Sequence, residues 1–166
     1  SKAKSSTVNN LKKEAKKHGV DENRLIFAPR LTYKEDHLNR IKQADLFIDT
    51  LPFNAHTTAS DALRMGLPVL TCMGSSFASR VAASLLNAVN LPELITTTQE
   101  EYESLAIELA TNPEKLKTIK DKLVDNLPTA ALYDTPLFTR HLESAYLTMY
   151  DRHQNGLDPD HIYVEH

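Results

Sequence analysis

The chain has 166 residues, 41% of them hydrophobic and 25% charged, with four glycines, eight prolines and a single cysteine. This composition predicts one domain with a buried core and excludes collagen-like chains, low-complexity chains, a disulfide framework and a cysteine-based zinc site. Net charge is −3 but uneven: residues 1–20 hold six lysines against Glu14 alone, +5 there and −8 over the remainder.

Val8, Leu11 and Ala15 recur at helical spacing, Ser5 or Ser6 is placed to cap, and Gly19 stands where a left-handed residue stops a helix. The lysines of this segment fall on one side of the pattern, without arginine or an aromatic to stack a base. They predict a solvated helix face rather than a nucleic-acid or membrane arm. Arg24-Leu-Ile-Phe-Ala28, short, apolar and closed by Pro29, predicts a buried strand. Thr32-x-x-Glu35 matches a capping box ahead of a helix from about 33 to 43, with Leu38 and Ile41 on its apolar face.

A repeating alternation follows. Asp45-Leu-Phe-Ile-Asp49 predicts a strand, 57–65 a helix stopped by Gly66, Pro68–Thr71 a strand, and 77–89 a helix entered through Gly74-Ser75-Ser76. Glu93–Thr96 is a short fourth strand candidate. Thr98-x-x-Glu101 repeats the capping box, Asn112-Pro113 breaks and restarts a helix, and a last amphipathic stretch runs from Pro136 to about His153. Strands separated by helices pair in parallel through right-handed crossovers, so the fold class is α/β: a Rossmann-like parallel sheet with helices on both faces and a helix-rich C-terminus. The sheet is thin and the chain opens inside a helix, which predicts the later part of a nucleotide-binding-type domain. No eighteen-residue apolar span or signal-peptide core is found, so a soluble, cytoplasmic protein is expected.

In such a sheet ligands bind beyond the carboxyl ends of the strands, at the N-termini of the following helices. Two turns there are unusually polar. The first offers Thr32, Tyr33, Lys34, His37 and Arg40; the last three are spaced to share one helix side, where two fixed charges and an imidazole suit a phosphate and the flat guanidinium a base. The second, Asp49-Thr-Leu-Pro-Phe-Asn-Ala-His-Thr-Thr-Ala-Ser-Asp61, puts His56, Thr57 and Thr58 at the cap and first turn of a helix. Unpaired amides and two hydroxyls make an anion site, and Asp61, one turn on, can accept from sugar hydroxyls. The competing reading is that Thr57 or Thr58 only caps the helix.

Other motifs carry less. Asp158-Pro159-Asp160 has the D-x-D pattern of metal-dependent sugar transferases but follows no apolar strand, so a tail turn is expected. Cys72 reads as a buried small hydrophobe. Leu105, Leu109, Leu116, Ile119 and Leu123 form a stripe that reads as core packing, or alternatively as the groove of a non-catalytic interaction module. No H-x-x-x-H pair or G-x-S-x-G elbow is present.

Arg24-Leu-Ile-Phe-Ala-Pro, Lys34-Glu-Asp-His37-Leu38-Asn39-Arg40, Ala44-Asp-Leu-Phe-Ile-Asp-Thr50, Asn54-Ala-His56-Thr57-Thr58 with Asp61, and Ala78-Ser-Arg80-Val-Ala-Ala-Ser84 together closely resemble the C-terminal catalytic lobe of the protein O-linked N-acetylglucosamine transferases and their bacterial, SPINDLY-like relatives, glycosyltransferase family 41. The resemblance runs from about Asn10 to the Pro159-Asp160-His161 tail. It implies the C-terminal lobe of a two-lobed GT-B enzyme, in which 32–34 and 37–40, Leu38 and Asn39 included, border the uracil of a UDP-sugar, His56, Thr57 and Thr58 hold the diphosphate, and Asp61 binds the ribose. It implies no metal or other cofactor, and transfer of a sugar, N-acetylglucosamine foremost, to Ser or Thr of protein acceptors. The family's N-terminal lobe, its Gln-x-x-Lys segment and its TPR repeats are not represented here, so the sequence is expected to be a fragment: inactive alone, able to bind the UDP part, and prone to self-associate through a sheet edge left unpaired at 24–28.

Overall fold

The computed structural model describes residues 2–164, and their side chains from residue 5 onward. Two compact units are present, residues 1–36 and 37–166, the break falling within the second helix.

In the first unit, helix α1 (Lys2–Lys17) ends with Lys16 and Lys17 in its last turn, where cations complement the helix dipole. Gly19 follows at φ 76°, the left-handed stop its position predicts. The expected strand at 24–28 does not form. A single 3₁₀ turn occupies Glu22–Arg24, capped by Asp21, whose carboxylate accepts from the Asn23 amide at 2.9 Å, and residues 25–30 have no regular structure. The reason is one of pairing: an apolar run becomes a strand only when a neighbour takes its amides and carbonyls, and here Ile26 is 90% exposed. The stretch instead lines a shallow groove with Leu11 and Ala15 of α1.

Helix α2 (Lys34–Ile41) lies within the expected span, with Glu35 and Asp36 in its first turn. The second unit then builds a three-stranded parallel sheet from β1 (Phe47–Ile48), β2 (Val69–Cys72) and β3 (Ile95–Thr96), in the order β1-β2-β3. Phe47 pairs with Val69 and Ile48 with Leu70; Thr71 pairs with Ile95 and Cys72 with Thr96. The strands are shorter than the apolar runs suggest: β1 keeps two of its five expected residues, and Pro92–Leu94 before β3 is a 3₁₀ turn. The sheet edges among the described residues are therefore β1 and β3, and 24–28 is not one of them; Ile48 on β1 is half exposed.

All four residues of β2 are buried, which requires cover on both faces of a strand whose side chains alternate. Helices α3 (Thr57–Arg64) and α4 (Val81–Ala88) cross over from β1 to β2 and from β2 to β3, and they pack on β2 and on each other. Two right-handed crossovers stepping the same way along a sheet leave both helices on one face. Helix α5 (Gln99–Thr111) also packs on β2, and α6 (Pro113–Asn126) packs on α5.

The caps are those the sequence signals: Thr98 and Glu101 form a capping box, and the Asn112 side chain accepts from the Lys115 amide ahead of Pro113. Ala59, Leu63, Val69, Leu86, Leu94, Leu109, Ile119 and Leu123 share the core. Leu109, Ile119 and Leu123 thus belong to core packing, while Leu109 together with Leu116 also lines an open cavity beside β1. Gly66 (φ 78°) turns the chain out of α3 toward β2. The last helix, α7 (Thr135–Gln154), has no buried residue; Phe138, Tyr146, Leu147 and Tyr150 on it are each more than half exposed. Among the described residues no helix is long and apolar enough to cross a membrane.

Candidate functional site

The loop between β1 and α3 is built around two buried polar side chains. Asp49, 4% exposed at the end of β1, accepts through Oδ1 from the amides of Thr50 (2.8 Å) and Ala55 (2.7 Å) and through Oδ2 from the Thr71 hydroxyl (2.7 Å). Asn54, 1% exposed, donates its amide N–H to the Ala78 carbonyl at 3.0 Å and its Nδ2 to the carbonyls of Thr50 (3.0 Å) and Cys72 (3.4 Å). The Leu51–Pro52 peptide bond is cis. Loop backbone this close to a core has to satisfy its polar groups internally, and these two side chains do much of that. The hydroxyl of Tyr102 on α5 donates to the Asp49 carbonyl at 2.6 Å. Burial, with the Asp49 charge adding to it, pushes the Tyr102 hydroxyl up to about 12.

This loop delivers His56 to the N-cap position of α3, with Thr57 and Thr58 in the first turn. The His56 side chain makes no capping bond, and among the described residues neither threonine hydroxyl enters a hydrogen bond. Both threonines are exposed. The capping reading of Thr57 and Thr58 is thereby corrected: an N-cap hydroxyl must sit before the first turn to reach the N2 or N3 amide, and these two lie inside it. The first-turn amides, which have no partner within the helix, and two outward hydroxyls remain for a ligand at the positive end of the dipole.

His56 packs face to face with Phe53 (ring centroids 5.0 Å apart) and edge-on to Phe77 (6.0 Å). Its Nε2 approaches the Ala78 carbonyl at 3.4 Å, a contact in which the nitrogen donates, so Nδ1 is the acceptor of the neutral ring. Asp61, one turn into α3, is half-buried. Beside it the Tyr133 hydroxyl donates to the Ser60 carbonyl at 2.8 Å. Burial raises that hydroxyl above its ordinary range; the Ser60 side-chain hydroxyl and the charge of Arg64 oppose the rise, and the Asp61 charge adds to it.

Of the first polar turn, Lys34 opens α2 and His37, Leu38, Asn39 and Arg40 follow along it, while Thr32 and Tyr33 precede it, Tyr33 69% exposed. Within α2 the Arg40 guanidinium donates to His37 Nδ1 at 3.1 Å. Since arginine has only donors, that imidazole carries its proton on Nε2. The turn expected at Asp158-Pro159-Asp160 lies earlier, at Asn155-Gly156, and 157–160 are irregular; Arg152 donates to the Asp158 carbonyl at 2.6 Å and lies 3.7 Å from the Asp160 carboxylate. Among the described residues no group of three or more His, Cys, Asp or Glu is placed to hold a metal ion. Cys72 is buried and free.

The model of glycosyl transferase family 41 matches residues 4–142. The chain belongs to this family. A UDP-N-acetylglucosamine–peptide N-acetylglucosaminyltransferase of Caenorhabditis elegans is 34% identical over 152 residues, 92% of this chain and 13% of that protein. The probable UDP-N-acetylglucosamine–peptide N-acetylglucosaminyltransferase SEC of Arabidopsis thaliana is 36% identical over 147 residues, 88% of this chain and 15% of that protein. A mutant O-GlcNAc transferase of Thermobaculum terrenum superposes with a TM-score of 0.81 at 34% identity, over 91% of this chain and 29% of its own length. The fold is accordingly that of a family 41 C-terminal GT-B lobe, and this chain spans only a small part of the relatives' length.

Residue-level reading of the sequence missed Tyr102 and Tyr133 as hydrogen-bond partners of the segment around His56, Asp49 and Asn54 as the supports of its loop, and Phe53 and Phe77 as neighbours of His56. A signal existed for two of them: Asp49 and Asn54 are polar residues at the end of an apolar run and in a turn rich in Thr and Pro.

Proposed function

We propose that this chain is part of the nucleotide-sugar-binding lobe of a cytoplasmic, inverting protein O-glycosyltransferase that moves N-acetylglucosamine from UDP to Ser or Thr. The observation that carries the reading is the first turn of α3, where Thr57 and Thr58 are exposed with hydroxyls uncommitted within the described residues and the His56 side chain does no capping. An N-terminal helix turn with spare amides and hydroxyls is a phosphate site by its electrostatics. His56, Thr57 and Thr58 would take the diphosphate and Asp61 the ribose. Thr32, Tyr33, Lys34, His37, Leu38, Asn39 and Arg40 would border the uracil.

The chemistry is displacement at the anomeric carbon: the acceptor oxygen bonds to it and gives its proton to a base outside this chain, the bond to the diphosphate oxygen breaks, and the lobe stabilises the charge that develops on the leaving diphosphate. Acceptor recognition would fall to regions outside this chain, and the fragment alone would bind UDP weakly, with a Kd near the millimolar range or about 4 kcal/mol. The test is His56→Ala in the full-length enzyme. Histidine here has no capping bond to lose, but its ring packs on Phe53 and Phe77, so the unfolding midpoint should fall modestly, and KM for the UDP-sugar, read well below that midpoint, should rise at least about tenfold. Normal donor kinetics in that variant would refute the assignment.

A further inference from the structure

The carboxylate of Asp49 holds both ends of the site loop with one oxygen. Oδ1 accepts from Thr50, the first loop residue, at 2.8 Å and from Ala55, the residue before the helix cap, at 2.7 Å. Oδ2 accepts from Thr71 of β2 at 2.7 Å, and the Thr71 carbonyl in turn accepts from the Thr96 hydroxyl of β3 at 3.0 Å. One side chain therefore joins the loop to the middle strand, and a hydrogen-bonded relay reaches the third. Burying a carboxylate at 4% exposure is costly unless its lone pairs are met, and here the donors that meet it are those that define the loop. Asn54 fastens the same loop to the turn before α4 through the Ala78 carbonyl, the group that His56 Nε2 also approaches.

We propose that Asp49 is the positioning residue of the donor site: it pinches the 50–55 loop against β2 so that His56, Thr57 and Thr58 stand where the diphosphate of a nucleotide sugar meets them. This inference rests on the reading of the site given above. Asp49 does not touch the ligand; it acts through the Ala55 amide and the Thr71 hydroxyl. Its contribution is hydrogen-bond geometry rather than charge, because a side-chain amide reproduces the pattern. In Asp49→Asn the remaining oxygen still accepts from both amides, and the new Nδ2 donates to the Thr71 hydroxyl, which rotates to accept. A leucine has the same number of side-chain heavy atoms, is bulkier, and accepts nothing, so its folding is checked separately.

The test is steady-state kinetics of the full-length enzyme, at a temperature well below unfolding, with circular dichroism as the check on folding. Asp49→Leu should raise KM for the UDP-sugar by at least about tenfold with kcat within about threefold, and Asp49→Asn should restore KM to within about threefold of the parent. A folded Asp49→Leu with normal donor KM overturns the proposal, as does an asparagine variant no better than leucine. Should the leucine variant not fold, Thr71→Val removes one tether at nearly constant shape. A donor KM raised about threefold or more at unchanged kcat then supports the proposal, and an unchanged KM overturns it. His56→Ala measured alongside separates the two levels: normal kinetics there refute the site itself, whereas a sensitive His56 with indifferent Asp49 and Thr71 variants refutes only the positioning role.

Discussion

Replacing Thr57 and Thr58 together with alanine separates a ligand-holding turn from a capping one. If either hydroxyl capped α3, its loss would cost about 0.5–2 kcal/mol of stability. His56 occupies the cap position instead, and both threonines are exposed inside the first turn. The helix gains what alanine offers over threonine at a solvent-facing position, at most roughly 0.7 kcal/mol per site. The double variant should therefore unfold in urea at the parental midpoint or slightly above it. Donor binding should fall, since each hydrogen bond lost to a charged phosphate oxygen is worth roughly 1.5–3 kcal/mol. That corresponds to about ten- to a hundredfold in kcat/KM at limiting UDP-sugar for each threonine. Urea unfolding and donor kinetics on the same preparation of the full-length enzyme give both numbers. A variant destabilised by more than about 1 kcal/mol with intact kinetics would show that the hydroxyls serve the helix.

Two further outcomes follow from the packing. Leu123 is fully buried on α6 in the shared core, so Leu123→Ala should cost about 2–5 kcal/mol, read as a lowered midpoint in urea or heat. Tyr102 is neutral in the fold up to about 12 against an ordinary value of 10. The unfolded chain therefore loses this proton first, and the stabilisation, complete below pH 10, declines between about 10 and 12; Tyr102→Phe should flatten that part of the alkaline stability curve, and an unaltered slope would show that Tyr102 does not titrate there.

Local signals were enough for the helices. Glycines at φ 76° and 78° end α1 and α3, Thr98 with Glu101 starts α5, and Asn112-Pro113 divides α5 from α6, because each device acts within four residues of chain. The same range sufficed to place His56, Thr57 and Thr58 at one helix end, with Asp61 a turn further on. Strands obey a different rule. Arg24–Ala28 and Asp45–Asp49 look alike as apolar runs, yet only the second finds a partner strand, its Phe47 and Asp49 amides donating to the carbonyls of Pro68 and Leu70, and no property of a run by itself says whether a neighbour will be there. Whether Thr57 caps the helix also lay outside the local sequence, since one residue of register decides whether a hydroxyl reaches a helix amide. The supports of the site were least legible of all: Asp49 meets Thr71 across 22 positions and Tyr102 across 53, separations over which only the closed sheet and the helix packed on it bring donors to a buried carboxylate and its own carbonyl.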